Sequence, residues 1–357
     1  MANEPKIISV HSGKGGVGKT TIVANLGAEL AARGAFTVLI DSDFFTRGLT
    51  FLLSKDKLES KVGYIDLVQE LCAEHEQSKA GNTANVPGDV ERFHKVASKL
   101  FLVPPTCRRE GFTGEYKEYS LDSDPVSKHL SDMAFVSADA FRKCFHGLQY
   151  VLIDCRSGTD QAAIAPAFVA DEYWVVTEED NTSIRATNFL LESIQYRVLS
   201  VPGRENDPQF GGFIVNMIVS ARPQFLVKSL ERIFGGPCLA VAPLSRRARE
   251  AFIHDRLVSK SRPHDPVSRE IRALANGIPE GFTESAADRL ARLDRIDRLR
   301  RLSLGAVAAF TPVIAGSLIF VREFSEWLSL PGRTISMIVV LLGAAAGVGL
   351  AALYLRR

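Results

Sequence analysis

The sequence predicts an α/β protein with a mostly parallel β-sheet flanked by helices, followed by a charged helical linker and a transmembrane helical hairpin. Three observations support this. Short apolar segments alternate with helical segments over most of the chain, the first turn is rich in glycine, and two long stretches near the C-terminus carry no charge. Alternation of strands and helices is typical of a parallel sheet with helices on its faces.

The N-terminal segment predicts the first strand–helix–strand unit. It contains a strand IISV (7–10), a glycine-rich turn (13–20), a helix TIVANLGAELAARG (21–34) and a strand FTVLIDSD (36–43). Apolar side chains recur along one face of the helix, and Gly34 is a suitable residue to end it. Two strands joined by such a helix form a right-handed parallel unit.

Further buried strands follow at irregular intervals and bring the total to about seven. They are LFLVPP (100–105), YVLIDC (150–155), YWVVT (173–177), GFIVNMI (212–218) and CLAVAP (238–243). Residues 54–99 and 107–125 interrupt this order as insertions or loops, although 61–74 has the pattern of a helix. Loops after the carboxyl ends of parallel strands are where open sheets bind ligands, so we expect partner or substrate recognition there.

Composition limits the class of protein. The chain has 357 residues, of which 46% are hydrophobic and 24% charged, with a net charge of +2. These values are close to the globular average. Its five cysteines form neither CxxC pairs nor Cys/His clusters, which argues against a zinc site or a disulfide framework. The first residues have no signal-peptide pattern, so we expect the chain to begin in the cytosol.

The C-terminal stretches predict two membrane spans. Residues 303–321 and 334–355 contain no charged side chain, and about 20 apolar residues suffice to cross a bilayer. The connector 322–333 is short and mixed in charge. Arginines precede the first span and follow the second, so the positive-inside rule places both flanks in the cytoplasm. We therefore expect a multi-pass protein of the cell (inner) membrane, with the sheet domain and both termini cytoplasmic.

The linker 285–302 predicts an amphipathic helix. Leucine or isoleucine recurs every three residues, while Arg and Asp fill most other positions. Such a helix suits the membrane surface, with its arginines toward anionic headgroups, or a short coiled-coil stalk. A face packed on the main domain remains an equal alternative.

The glycine-rich turn fits the phosphate-loop pattern GxxxxGK[ST] and has the required strand before it and helix after it. Its backbone N–H groups and the helix N-terminus favour phosphate. We expect Lys19 to reach the terminal phosphates of a nucleotide and the Thr20 hydroxyl to hold Mg²⁺. The expected nucleotide contacts are Gly13, Lys14, Gly15, Gly16, Val17, Gly18, Lys19, Thr20 and Thr21.

Carboxylates follow two of the predicted strands. Asp41 and Asp43 end FTVLIDSD, and Asp154 ends YVLID. Mg²⁺ prefers oxygen ligands and is bound by few carboxylates beside phosphate oxygens. We therefore expect Thr20, Asp41 and Asp154 to form the metal site. Hydrolysis of a nucleotide also needs a group that orients the attacking water, and Asp43 is the candidate.

These residues carry a family resemblance. KGGVGKT, with the additional Lys14, resembles the deviant Walker A loop of the MinD/ParA family of ATPases, and the likeness extends over most of residues 6–280. VLIDSD and VLIDCRSG are similar to its other two motifs. The resemblance implies that Asn216 contacts the base and that Pro243 lines its pocket. The segment FIVNMI carries no NKxD motif, which weighs against GTP and favours ATP as the nucleotide. The chain departs from the family in DSDFFTRG and in DCRSG, whose Arg156 has no assigned role.

The resemblance implies a P-loop ATPase domain over residues 1–284 and a nucleotide-sandwiched homodimer. Lys14 would then contact the phosphates bound to the other subunit, whereas Lys19 would act within its own. The expected function is a membrane-anchored ATPase that serves as an ATP-dependent dimerisation switch for an unidentified protein partner. We do not expect nucleic acid as a partner, because basic clusters are few. Alternatives are a bacterial tyrosine-kinase-like enzyme, a DNA-partition protein, or a membrane-linked stress or defence effector.

Overall fold

A computed structural model describes residues 4–54, 58–79, 90–106, 138–199, 208–220 and 223–282, with isolated positions up to 292. The strands and helices given below lie in one compact unit, Met1–Asp288. Segment 107–125, most of the linker 285–302 and both predicted spans, 303–321 and 334–355, fall outside the described residues. Within the described part, no helix is long and apolar enough to cross a bilayer.

The core of the fold is an eight-stranded sheet. In chain order its strands are β1 (Lys6–His11), β2 (Thr37–Asp41), β3 (His94–Ala97), β4 (Leu100–Val103), β5 (Tyr150–Asp154), β6 (Glu172–Thr177), β7 (Gln209–Ile218) and β8 (Cys238–Pro243). Their order across the sheet is β3-β4-β2-β5-β1-β6-β7-β8. All neighbours are parallel except β3 and β4.

This order places β1, and the loop that follows it, in the middle of the sheet between β5 and β6. Strands β2 and β5 pair in register, so Asp41 and Asp154 are direct neighbours. The carboxyl ends of these parallel strands meet at one edge, which brings the residues that follow them together. The strand order therefore places the glycine-rich loop next to Asp41 and Asp154.

Helices cover both faces of the sheet. They are α1 (Lys19–Ala32), α2 (Gly48–Ser54), α3 (Tyr64–Lys79), α4 (Ala138–Lys143), α5 (Gln161–Ile164), α6 (Asn181–Leu199), α7 (Pro223–Phe234), α8 (Arg246–Ile253), α9 (Val258–Ser261) and α10 (Pro266–Glu280). One apolar cluster joins α1 and α10 to one face of the sheet, and a second joins α3 and α4 to the other. The α/β prediction with a mostly parallel, helix-flanked sheet is confirmed.

The predicted strands and the helix after the first loop are all present, but the segment 54–99 is more regular than expected. It contains the last residue of α2, the helix α3 and the antiparallel edge strand β3. The strand β3 was not predicted from the sequence. An edge strand pairs on one side only, so β3 can be short and polar, and Lys95 within it is exposed. Such a strand lacks the apolar run by which the central strands are predicted.

Candidate functional site

The glycine-rich loop connects the end of β1 to the start of α1. Gly16 and Gly18 have φ values of 83° and 82°, in the left-handed region that favours glycine. Gly13 is required for another reason, since a Cβ there would overlap the carbonyl group of Ala186 in α6. At Gly15 and Gly16 a Cβ would meet nothing within 4 Å. The loop is thus packed against α6 at Gly13 and exposed at Gly15 and Gly16.

Lys19 is the first residue of α1, at the end of this loop, and is 6% exposed. Its Nζ donates a hydrogen bond of 2.8 Å to Oδ1 of Asp154, which is 2% exposed. Burial alone would lower the pKa of Lys19, but the attraction of Asp154 and their hydrogen bond raise it above its ordinary value. The lysine is therefore charged and points to the edge where phosphate would bind.

Asp41 is fully buried beside Asp154. Its Oδ2 accepts hydrogen bonds from the backbone N–H and the hydroxyl of Thr50, both at 2.8 Å, and its Oδ1 accepts one from the N–H of Asp43 at 3.1 Å. Burial, and then repulsion by Asp154, raise the pKa of Asp41 to about 7. Both oxygens of Asp41 are thus engaged in fixing α2 and the loop after β2.

Among the residues predicted to hold Mg²⁺, Asp41 and Asp154 are neighbours across β2 and β5, and Thr20 directly follows Lys19, which is hydrogen-bonded to Asp154. A Cβ at Gly48, the first residue of α2, would lie 3.9 Å from Oγ1 of Thr20. Within the described residues, neither that hydroxyl nor Oδ2 of Asp154 has a hydrogen-bond partner, and no three His, Cys, Asp or Glu side chains form a metal cluster. This donor set fits Mg²⁺, which takes few protein ligands when it also binds phosphate. Thr20 and Asp154 each keep an oxygen without a hydrogen-bond partner among the described residues, whereas both oxygens of Asp41 are engaged. That these three residues hold Mg²⁺ stays a prediction.

Asp43 caps its own loop. Its Oδ1 accepts from the N–H groups of Phe45 and Thr46 at 3.1 Å, and its Oδ2 accepts from the Thr46 hydroxyl at 2.6 Å. The carboxylate therefore orders the loop after β2, immediately beyond the buried Asp41. Its role in orienting water stays a prediction.

Lys14 has surroundings unlike those of Lys19. Its side chain is 40% exposed, and its Nζ lies 3.4 Å from Oε2 of Glu178 and 3.3 Å from Oδ2 of Asp180. Both acids follow β6. The hydrogen bond to Asp180 raises the pKa of Lys14, and the lysine in turn helps to lower the pKa of Asp180, which is mainly depressed by the N–H of Ser183. Lys14 thus remains charged at the surface, away from the pair formed by Lys19.

A cavity of about 480 Å³ adjoins the loop. Asn216 and Pro243, the two residues assigned to the base, line it, as do Arg249 and Phe252 of α8. Asn216 also has a structural contact, because its Nδ2 donates to the carbonyl oxygen of Val17 at 2.8 Å. The structure therefore connects Asn216 to the phosphate loop itself, and its contact with a base stays a prediction.

His11 at the end of β1 and Arg47 on the loop after β2 are buried polar residues without an expected role, and His11 connects β1 to α5. His11 is fully buried, with Nδ1 2.9 Å from the carbonyl oxygen of Ala163 and Nε2 2.9 Å from the Ser9 hydroxyl. Burial lowers the pKa of His11 to about 3, so the ring is neutral. A polar ring at the end of the apolar run IISV was the available signal. Arg47, 9% exposed with φ 49°, lies on the loop after β2, and its Nε has no hydrogen-bond partner among the described residues.

Arg156, which had no assigned role, connects two loops at this edge. Its guanidinium lies 4.3 Å from the ring centroid of Phe45, on the loop after β2. Its Nη1 is 3.1 Å from Oδ2 of Asp160, which caps α5 through Oδ1. The loops after β2 and β5 are therefore joined by one side chain.

Comparison with known proteins agrees with this geometry. Residues 8–258 match the CobQ/CobB/MinD/ParA nucleotide binding domain. The septum site-determining protein MinD of Neisseria meningitidis serogroup B is 28% identical over 236 residues, which cover 66% of this chain and 72% of that protein.

Solved structures show the same fold. MinD from Pyrococcus horikoshii OT3, complexed with Mg-ADP, is 22% identical with a TM-score of 0.55 and covers 77% of this chain and 96% of its own. The Aquifex aeolicus MinC:MinD cell division complex gives 19% identity and a TM-score of 0.53, with 78% of this chain and 98% of that chain covered. The phosphate loop, the paired aspartates at the strand ends and the family match together show that this chain belongs to the CobQ/CobB/MinD/ParA family of nucleotide-binding domains.

Proposed function

We propose that this protein is a membrane-anchored, Mg²⁺-dependent ATPase that acts as an ATP-dependent dimerisation switch. One observation carries the proposal: the phosphate loop holds two charged lysines in different places. Lys19 is buried on Asp154, whereas Lys14 is exposed beside Glu178 and Asp180. A buried lysine serves the nucleotide of its own subunit. A partly exposed one in the same loop, paired with two acids that solvent also reaches, would be able to turn toward another subunit.

The proposed cofactors are ATP and Mg²⁺. The Mg-ADP bound to Pyrococcus horikoshii MinD supports this choice. In this chain the loop N–H groups and Lys19 would hold the phosphates, Thr20 and Asp154 would hold the metal, and the cavity lined by Asn216 and Pro243 would take the base. Mg²⁺ would supply charge neutralisation on the terminal phosphates. Asp43 would orient water from the loop after β2.

Dimerisation would use Lys14. To reach a second nucleotide, its Nζ must leave contacts of 3.3 and 3.4 Å with two partly exposed acids. Contacts of this kind are weak because solvent screens them. Lys14 would then stabilise negative charge on the neighbouring phosphates, as an arginine finger does. Hydrolysis would remove the γ-phosphate and weaken the contact between Lys14 and the neighbouring nucleotide. The dimer would then dissociate.

A protein partner would recognise the ATP-bound dimer. MinD of Aquifex aeolicus forms a complex with MinC, which supports a protein partner for a chain of this fold. The identity of the partner here is open, and a slow basal turnover stimulated by the partner or by self-association is the expected behaviour.

The proposed membrane anchor rests on the uncharged segments 303–321 and 334–355 and on the arginines that flank them. The protein would lie in the cell (inner) membrane, with the ATPase domain and both termini in the cytoplasm. Two anchored copies would meet in the plane of the bilayer. Alkaline carbonate extraction tests the anchor: full-length protein stays with the membranes, whereas a chain that ends at residue 284 is released. Release of both would exclude integral anchoring.

The switch is tested with full-length protein purified in mild detergent. ATP turnover and mass are measured with and without ATP for the parent and for Lys14→Ala, Lys19→Ala and Asp43→Ala. We expect Lys19→Ala to lose nucleotide binding, Lys14→Ala to bind nucleotide without dimerising, and Asp43→Ala to dimerise without turnover. If Lys14→Ala dimerises and hydrolyses like the parent, the role across the dimer is wrong. Transfer of phosphate to tyrosine would instead favour the kinase alternative.

A further inference from the structure

We propose that a second cavity, on the opposite side of α8 from the nucleotide cavity, binds a phosphate group. The cavity has a volume of about 320 Å³ and lies between α8, the following turn and α9. Three arginines, Arg247, Arg256 and Arg262, line it together with His254. The proposal does not depend on ATP hydrolysis or on the membrane anchor.

The charge of this cavity is not balanced by the protein. Arg247, Arg256 and Arg262 are exposed, and none of their guanidinium groups forms an ion pair or hydrogen bond with another described residue. Among the lining residues, all of which the structure describes, Glu250 is the one carboxylate, and its Oε1 already accepts from Nε of Arg246 at 3.1 Å. Three unpaired cations therefore surround one space.

The helix α8 separates this cavity from the nucleotide site. Residues Ala248, Arg249 and Phe252 face the larger cavity, and Arg247, Glu250 and His254 face the smaller one. Residues three or four apart lie on the same side of a helix, so each set forms one face. A ligand in the smaller cavity would contact neither the phosphate loop nor Asn216.

The chemistry of the lining groups selects phosphate. Guanidinium groups bind phosphate oxygens through paired, charge-assisted hydrogen bonds, and several converging arginines favour a group with more than one negative charge. The volume is at the small end of ligand pockets, which suits a phosphomonoester or pyrophosphate better than a whole nucleotide. The phosphate could be carried by a soluble metabolite or by a phospholipid headgroup, and the same residues would bind either.

The test measures pyrophosphate binding to the full-length protein by calorimetry, with ADP at saturation and EDTA present. ADP keeps pyrophosphate out of the phosphate loop, and EDTA prevents metal chelation from contributing heat. The test variant is Arg256→Gln/Arg262→Gln. The matched control is Arg232→Gln/Arg269→Gln, which removes the same charge from two exposed residues that line neither cavity. Equal melting temperatures confirm that both variants fold.

We expect the parent to bind pyrophosphate, the test variant to bind it roughly 10- to 100-fold more weakly, and the control to match the parent within about twofold. Absence of binding by the parent, or equal weakening in the control, would overturn the proposal. Duplex DNA is titrated in the same way, and a parent protein that binds DNA but not pyrophosphate would also overturn it. Short-chain phosphatidic acid, compared with short-chain phosphatidylcholine, identifies the source. Displacement of pyrophosphate by the former alone indicates a headgroup, and displacement by neither indicates a soluble phosphate.

Discussion

Lys19 Nζ lies 2.8 Å from Oδ1 of Asp154, and both side chains are more than nine-tenths buried. The two residues come from different elements, the first turn of α1 and the end of β5, so their contact joins the end of the phosphate loop to the centre of the sheet. A buried ion pair tolerates the loss of one partner poorly, because the other charge is left without compensation.

The first prediction concerns this pair in the absence of nucleotide. Lys19→Ala leaves Asp154 unpaired beside the buried Asp41, and we expect it to lower the free energy of unfolding by about 3 kcal/mol. Lys14→Ala is the matched control from the same loop, and it should change stability little because Lys14 is exposed. Urea denaturation of both variants in EDTA measures the difference. Equal losses of unfolding free energy in the two variants would mean that the buried pair of Lys19 and Asp154 does not stabilise the fold more than an exposed lysine does.

The second prediction is a pH dependence that arises from Asp41. Its folded pKa of about 7 lies above the ordinary value of 3.8, so the folded state holds the proton more tightly than the unfolded state. Its contribution to stability is thus fully present below pH 3.8 and is lost as the pH rises through about 7. Asp41→Asn cannot ionise. We expect the stability of the parent relative to this variant to fall by about 3 kcal/mol between pH 5 and pH 8.

Thermal and urea unfolding across this pH range measure the effect in the nucleotide-free protein. The control is Asp255→Asn, which removes an exposed carboxylate at a position with φ 49° that asparagine tolerates. Its difference from the parent should not vary over the same range. A pH-independent difference for Asp41→Asn would show that Asp41 is ionised in the fold even at pH 5.

The third prediction concerns the contact between Arg156 and Phe45, which joins the loops after β5 and β2. A cation over an aromatic ring at a partly exposed site contributes about 0.5–1 kcal/mol. A double-mutant cycle with Arg156→Gln and Phe45→Leu should give a coupling energy of this size in urea unfolding. The same two substitutions should also be non-additive in ATP turnover, because the N–H of Phe45 donates a hydrogen bond to Asp43. Full additivity in both measurements would mean that the contact has no effect on either.

The fold was largely predictable because its central strands are buried on both faces. β2 and β5 are continuous apolar runs that end in aspartate, and no solvent-facing alternation obscures them. The edge strand β3 was not predictable in this way. Its stability comes from pairing with β4, which lies beside it in the chain, and from no apolar pattern of its own.

The site was predictable where a motif specifies both residue and position. Lys19, Thr20, Asp41 and Asp154 meet at one edge because parallel strands share their direction. The partners of these residues were less accessible from sequence. The pairing of Lys14 with Glu178 and Asp180 depends on β6 lying next to β1, an order that local patterns do not encode.

The fourth prediction separates two roles for Asn216. Its Nδ2 donates to the carbonyl oxygen of Val17, so in this structure it holds the phosphate loop. If that is its main role, Asn216→Ala should weaken the binding of ADP and of tripolyphosphate by a similar factor, roughly 5- to 20-fold, as expected for one buried hydrogen bond. If Asn216 instead acts on the base, only ADP binding should weaken, since tripolyphosphate has no base. Calorimetric titrations of both ligands in Mg²⁺ distinguish the two outcomes.

Arg249→Gln is the comparison variant, because Arg249 lines the cavity from α8 and makes no hydrogen bond to the loop among the described residues. We expect it to affect ADP more than tripolyphosphate.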